Sequence, residues 1–437
     1  MDFLWGVLTV VVGLLASIAL HEVGHMVPAK KFGVRVPQYM VGFGPTLWST
    51  HRGETEYGIK AIPLGGYVRL VGMYPPENTD RKRRMWFREL ITGAREASLE
   101  EIRPGEENRA FYKLSTPKKL IVMAGGPLMN LVIAAFLLTV IVVAFGRSEP
   151  TTQIAEVSQC VVSAQESRTE CESTDPITPA AQAGLLPGDV ITGFADQEVS
   201  SWDDLSDRIA RYGGQEVSVT YLRDGAESET TLVPLITPRP VLDRYDIPQF
   251  DDSGELVTEQ RGFLGVAPTF EQNHQPFVVV PELMGQGITG TLGIIVRLPE
   301  RMVDVWNAAF GGQERDVNSV IGVVGVGRVA GEITSAPEFS SNLAAQTQQL
   351  LSLLASLNIA LFAFNMIPLL PLDGGHVAGA LYEGGRRQWA RLRHRPDPGH
   401  ADTAQMLPVA YVVFVLLAGM GILLIYADIV NPVRLIQ

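Results

Sequence analysis

His21-Glu22-Val23-Gly24-His25 stands at the end of an almost unbroken apolar run covering residues 3–20. On a helix, side chains four apart share a face, so the two imidazoles can hold one divalent metal while Glu22 stands beside it as a general base. Ionisable groups at the end of a hydrophobic segment are costly, and their presence points to function. The bland alternative is a pair of interfacial histidines on an ordinary helix end.

A catalytic zinc needs three protein ligands and an open position, and two histidines supply only two. The second stretch with the right chemistry runs from Asn365 through Pro368 and Pro371 to Asp373, Gly374, Gly375 and His376. The prolines break a helix and the glycine pair permits a sharp turn, which leaves Asp373 at the end of an apolar run as the expected third ligand. His376 is the alternative. Two imidazoles and one carboxylate around an open position favour zinc among the divalent metals.

These residues need elements to carry them. The chain has 437 residues, 46% hydrophobic and 19% charged, a balance that fits several membrane spans joined to a soluble part. Its net charge of -12 argues against a nucleic-acid partner. Four stretches, residues 3–20, 120–145, 343–370 and 406–430, approach or exceed the roughly 20 apolar residues that cross a bilayer. The third is the most polar, with Ser352, Ser356, Asn358 and Asn365, so it is a candidate wall of the site. Residues 277–306 are apolar but interrupted by Pro281, Glu282, Arg297, Pro299 and Glu300, and read as an amphipathic helix on the membrane surface.

Basic residues orient the spans. Lys30, Lys31, Arg35, the run Arg81-Lys82-Arg83-Arg84 and Lys118-Lys119 follow the first span; Arg386, Arg387, Arg391, Arg393 and Arg395 follow the third. Both loops are expected in the cytoplasm, with the termini and the long acidic region 147–342 outside. His21, His25 and Asp373 then arrive near the same cytoplasmic face.

Within the first loop, 41–73 reads as a β-hairpin, placed close enough to the first span for Gly66 and Tyr67 to reach the site. The outer region opens with a short helix near 180–183, a strand from Val190, a helix over 202–212, and strands over 216–223 and 230–235 joined at Asp224-Gly225. This resembles a PDZ domain of the bacterial type, with a groove for an extended peptide or its C-terminus. Cys160 and Cys171 are the only cysteines, and an extracytoplasmic position permits a disulfide between them.

His-Glu-Val-Gly-His at 21–25, Asn365-x-x-Pro368-x-x-x-x-Asp373-Gly374 and Gly126-Pro127-Leu128-Met129-Asn130 together resemble the site-2 protease family, as do Gly42-Phe43-Gly44-Pro45 and the outer unit. The resemblance implies a polytopic α-helical membrane protein with about four transmembrane helices, a membrane-associated β-hairpin in the first cytoplasmic loop, and one extracytoplasmic α+β PDZ domain. Its expected parts are the first span (1–27), hairpin loop (28–118), second span (119–146), PDZ domain (147–240), linker with amphipathic helix (241–342), third span (343–376), basic loop (377–405) and fourth span (406–431). It implies an intramembrane zinc metalloendopeptidase of the bacterial cell membrane: Zn2+ on His21, His25 and Asp373, Glu22 catalytic, and Asn365, Asn358, Asn130, Gly66 and Tyr67 binding substrate. The implied substrates are single-span proteins such as anti-sigma factors, or remnant signal peptides, shortened beforehand by another protease.

Overall fold

A computed structural model describes residues 2–76, 88–161, 171–172, 175–241, 257–312, 315, 319–335 and 342–433. The basic run Arg81–Arg84 lies outside them. Contacts divide the chain into a helical unit, 1–141 with 277–437, and a sheet unit, 142–276.

The helical unit begins with α1 (Asp2–Lys31). Lys30 and Lys31 in its last turn suit the negative end of the helix, and Gly33, at φ +84°, closes it as Val34 N–H donates to Ala29 O. Two long strands follow, β1 (Gln38–Arg52) and β2 (Thr55–Arg69). Residues 38–41 lie opposite both 66–69 and 56–59, so the predicted hairpin folds back on itself and leaves 66–69 as an outer edge. The Tyr39 hydroxyl donates to Ala19 O at 2.7 Å and ties the sheet to α1. After α2 (Arg88–Glu100), α3 (Thr116–Val140) packs on α1. The two helices cross where Gly24 meets Gly125; a Cβ on either would stand 2.1–2.3 Å from the other's carbonyl oxygen.

The sheet unit holds β3 (Arg147–Val157), α4 (Pro179–Gln182), β4 (Val190–Phe194), β5 (Gln197–Glu198), α5 (Trp202–Arg211), β6 (Val217–Arg223), β7 (Ala226–Leu232), β8 (Leu235–Pro240), β9 (Thr258–Phe263) and β10 (Val266–Asn273). The main sheet runs β10-β3-β4-β6-β7, with β5 on β4; β8 and β9 pair separately. Asp224 and Gly225 both take positive φ in the two-residue turn predicted between β6 and β7. Ile154, Leu185, Ile191, Phe194, Leu205 and Val219 form the core. Cys160 and Cys171 are bonded. The unit extends past the expected boundary at 240: the stretch read as linker supplies β9 and β10, and β10 pairs with β3 from more than a hundred residues earlier.

Back in the helical unit come α6 (Val280–Val296), α7 (Leu298–Phe310), α8 (Val323–Ser335), α9 (Leu343–Asn365), α10 (Asp373–Leu392) and α11 (Leu407–Val430). Five helical stretches among the described residues are long and apolar enough to cross a membrane. Four correspond to the expected spans. The fifth, Phe277–Val296, falls in the stretch expected as one amphipathic surface helix, which is two helices here: the chain breaks at Arg297, where Pro299 opens α7, so the charges that interrupt the sequence pattern fall mainly in α7. The third span ends earlier than read, at Asn365. The region taken as a basic loop is helical as far as Leu392, with Ala380, Glu383 and Ala390 buried.

Candidate metal centre

α1, α3 and the start of α10 each deliver part of one site. His21 and His25 project from α1 with their Nε2 atoms 3.2 Å apart, and each Nε2 lies 3.3 Å from Asp373 Oδ2. Asp373 is the first residue of α10, held close to the end of α9 because Gly374 and Gly375 lack side chains. A Cβ on Gly374 would fall 2.2 Å from Ile367 O, and one on Gly375 2.5 Å from Leu370 N.

The outer nitrogens fix the tautomers. His25 Nδ1 lies 2.7 Å from Val122 O, a partner that can only accept, so Nδ1 carries the proton and the Nε2 lone pair faces Asp373. His21 Nδ1 lies 3.1 Å from the Asn130 amide nitrogen, while Asn130 Oδ1 is buried without a partner. Exchanging the two amide atoms lets Oδ1 accept from His21 Nδ1–H and leaves the His21 Nε2 lone pair facing Asp373. Two lone pairs and a carboxylate oxygen then converge with no proton between them. Ligands about 2.0–2.1 Å from a tetrahedral zinc stand about 3.3–3.4 Å apart, so the observed separations fit such an ion. Gly126 of α3 lies against the pair, and a Cβ there would meet His25 Nε2 at 2.1 Å and His21 Nε2 at 2.7 Å.

Glu22 is buried beside the histidines, and a Cβ on Gly66 would approach its Cγ to 3.1 Å. A cavity of about 840 Å³ opens over these groups. The expected residues His21, Glu22, His25, Asp373, Asn365, Asn130, Gly66 and Tyr67 all line it, and the α2 residues Ala94, Ala97 and Ser98 form a wall that sequence reading missed. His376 lines the cavity but stands outside the cluster of three potential ligands.

Two of the expected substrate-binding residues, Asn358 and Asn130, make hydrogen bonds to α1. Asn358 is fully buried and donates to Ser17 Oγ at 3.0 Å, joining α9 to α1 away from the cavity. Asn130 reaches the cavity wall, but its amide is directed to His21. A polar residue within a span must find a partner, and here a neighbouring helix supplies it.

The profile of peptidase family M50 matches residues 9–396. The chain belongs to peptidase family M50. Among its relatives, "Zinc metalloprotease Rip1" of Mycobacterium tuberculosis is 34% identical, with 100% of each chain covered. "Metalloprotease MmpA" of Caulobacter vibrioides is 26% identical over 84% of this chain and 83% of its own. "Zinc metalloprotease RasP" of Shouchella clausii is 25% identical over 92% and 96%. The M50 match spans both halves of the site, from α1 to α10.

Proposed function

We propose that this chain is an intramembrane zinc metalloendopeptidase that cleaves the transmembrane segments of single-span membrane proteins. The observation that carries the proposal is the convergence of His21, His25 and Asp373 beside Glu22, in a cavity set among apolar helices. Membership in family M50, the site-2 proteases, and the zinc metalloproteases among its relatives support it. His21, His25 and Asp373 would hold Zn2+, which when bound polarises the scissile carbonyl and acidifies the attacking water. Glu22 takes the proton from that water and returns it to the leaving amine.

A peptide bond inside an intact helix is poorly accessible, so the substrate must unwind locally. The outer edge at 66–69 lines the cavity and presents main-chain groups to a freed strand, with Gly66 and Tyr67 at its start. Asn365 binds the substrate backbone. Anti-sigma factors and remnant signal peptides, trimmed beforehand outside the cytoplasm, are the proposed substrates in regulated intramembrane proteolysis.

The sheet unit is the proposed extracytoplasmic PDZ domain. A groove of about 290 Å³ between α5 and residues 262–266, flanked by Arg239 and Arg261, suits a peptide C-terminus. Edge strand β10 offers the pairing positions. The chain resides in the bacterial cell membrane, with the metal centre towards the cytoplasmic face.

The deciding experiment compares wild type with Glu22→Gln on a single-span test substrate in bilayers. Glu22→Gln is expected to keep its zinc and lose about 10²–10⁴-fold in cleavage rate. Unchanged cleavage would sink the proposal and leave a scaffold with a structural metal.

A further inference from the structure

The second half of α10 carries a feature that proteolysis does not use. From Asp373, beside His25 and Gly126, α10 runs antiparallel to α3: Glu383 pairs with Lys119 at 2.8 Å, and Gly384 packs on Thr116, where α3 begins. The last eight residues of α10, Gly385–Leu392, therefore lie beyond the start of the apolar α3 helix, at the depth where a bilayer changes from acyl chains to headgroups.

The side chains there are those of a membrane border. Leu381, Tyr382, Trp389 and Leu392 are all more than half exposed, an arrangement that costs free energy in water but not beside lipid. Arg386 lies over the Tyr382 ring at 5.6 Å and Arg393 over Trp389 at 4.2 Å. Tyr382, Arg386, Trp389 and Arg395, with Pro396 and Pro398 of the returning loop, enclose a pocket of about 490 Å³. Its charge is uncompensated. Glu383 is engaged by Lys119, Arg387 and His400, and Asp397 is shared by Arg387 and the Gly399 amide, so no carboxylate is paired with Arg386 or Arg395 among the described residues. Lys31 closes α1, and Lys118 stands in the first turn of α3.

We propose that this pocket binds the headgroup of an anionic phospholipid, its phosphate between Arg386 and Arg395 and its glycerol and first methylenes against Tyr382 and Trp389. Two guanidinium groups match a phosphate diester, and the apolar rim matches the chains attached to it, which neither a free anion nor a soluble acidic peptide would use.

The test uses the full-length protein in a neutral detergent and follows thermal unfolding as phosphatidylglycerol or phosphatidylcholine is added. Phosphatidylglycerol is expected to raise the Tm of wild type, phosphatidylcholine and inorganic phosphate are not, and the effect is expected to weaken as salt rises from about 50 to about 500 mM. In Arg386→Gln/Arg395→Gln the apparent affinity for phosphatidylglycerol is expected to fall about 25-fold, fivefold for each arginine lost, and to return to within about twofold in Arg386→Lys/Arg395→Lys. Equal shifts from both lipids, or undiminished affinity in the glutamine variant, would overturn the proposal. So would a matching shift from inorganic phosphate, displacement of the lipid by a soluble acidic peptide, or insensitivity to salt in wild type, a measurement that needs no variant to fold.

Discussion

Two clusters of buried charge sit among the apolar helices, and they are built on opposite principles. At one, the side chains of Arg315 and Asp428 are both 1% exposed, and every strong valence is met: Asp428 accepts from Arg315 at 2.9 Å and from the Gly322 and Gly325 amides, while Arg315 also donates to Ser319 and Val320. At the other, His21 and His25 are satisfied only on their outer nitrogens, and three acceptor atoms confront one another at 3.2–3.3 Å. The first cluster is neutral and closed, so it fastens α8 to α11. The second brings three acceptors together without a counter-charge, which is the arrangement the proposed metal site needs.

That contrast can be broken at three points, and a third buried carboxylate, Glu383, sharpens it. The largest effect is expected from Gly126→Ala, because the added methyl would occupy the position of the His25 Nε2 face. The folded protein should retain no zinc, and cleavage should fall by at least about 100-fold. Metal analysis of the purified variant checks this.

Arg315→Met leaves Asp428 buried and unpaired, and should destabilise the protein by about 3–5 kcal/mol in a denaturation series. Its zinc content per folded molecule should stay at the wild-type level, and Arg315→Met/Asp428→Leu should recover most of the stability. Asn130→Leu should weaken zinc affinity about 10–100-fold in a chelator competition, since His21 loses the partner that sets its tautomer. Asn130→Asp, which keeps an acceptor, should retain most of that affinity.

The smallest effect concerns pH. Burial pushes the Glu383 carboxyl up, but His400, Lys119 and the Ala401 amide outweigh it and hold the group down at about 2, below its ordinary 4.5. A depressed carboxyl stabilises the fold above its ordinary value and ceases to do so as pH falls from about 4.5 towards about 2. Wild type should therefore exceed Glu383→Gln in Tm at neutral pH, with the gap closing over that window.

The convergence of the candidate ligands was largely legible in the sequence because each part of it is local. The i, i+4 spacing of His21 and His25 needs only one helix, and Asp373 follows from a break in apolar periodicity. What was less legible depended on partners distant in the chain. Nothing in the neighbourhoods of Asn130 and Asn358, both expected at the substrate, reveals that α3 and α1 meet at Gly125 and Gly24, which turns the Asn130 amide to His21, or that Ser17 faces α9 and engages Asn358. Strand β10 was taken for linker because, among the described residues, its partner in the main sheet is β3, and pairing over that distance leaves no periodic trace. In α10 the run of arginines between two spans suggested a basic loop. The helix is held instead by packing on α3.

Residues 38–41 are paired on both sides, so 66–69 is the strand of that sheet turned towards the cavity, and it offers amides and carbonyls in a fixed order. An edge of this kind reads the direction and extension of a guest chain and is nearly blind to its spelling. An enzyme that grips its guests there would be tolerant of sequence at the cut, and its selectivity would have to be exercised earlier, by controlling which chains arrive already loosened.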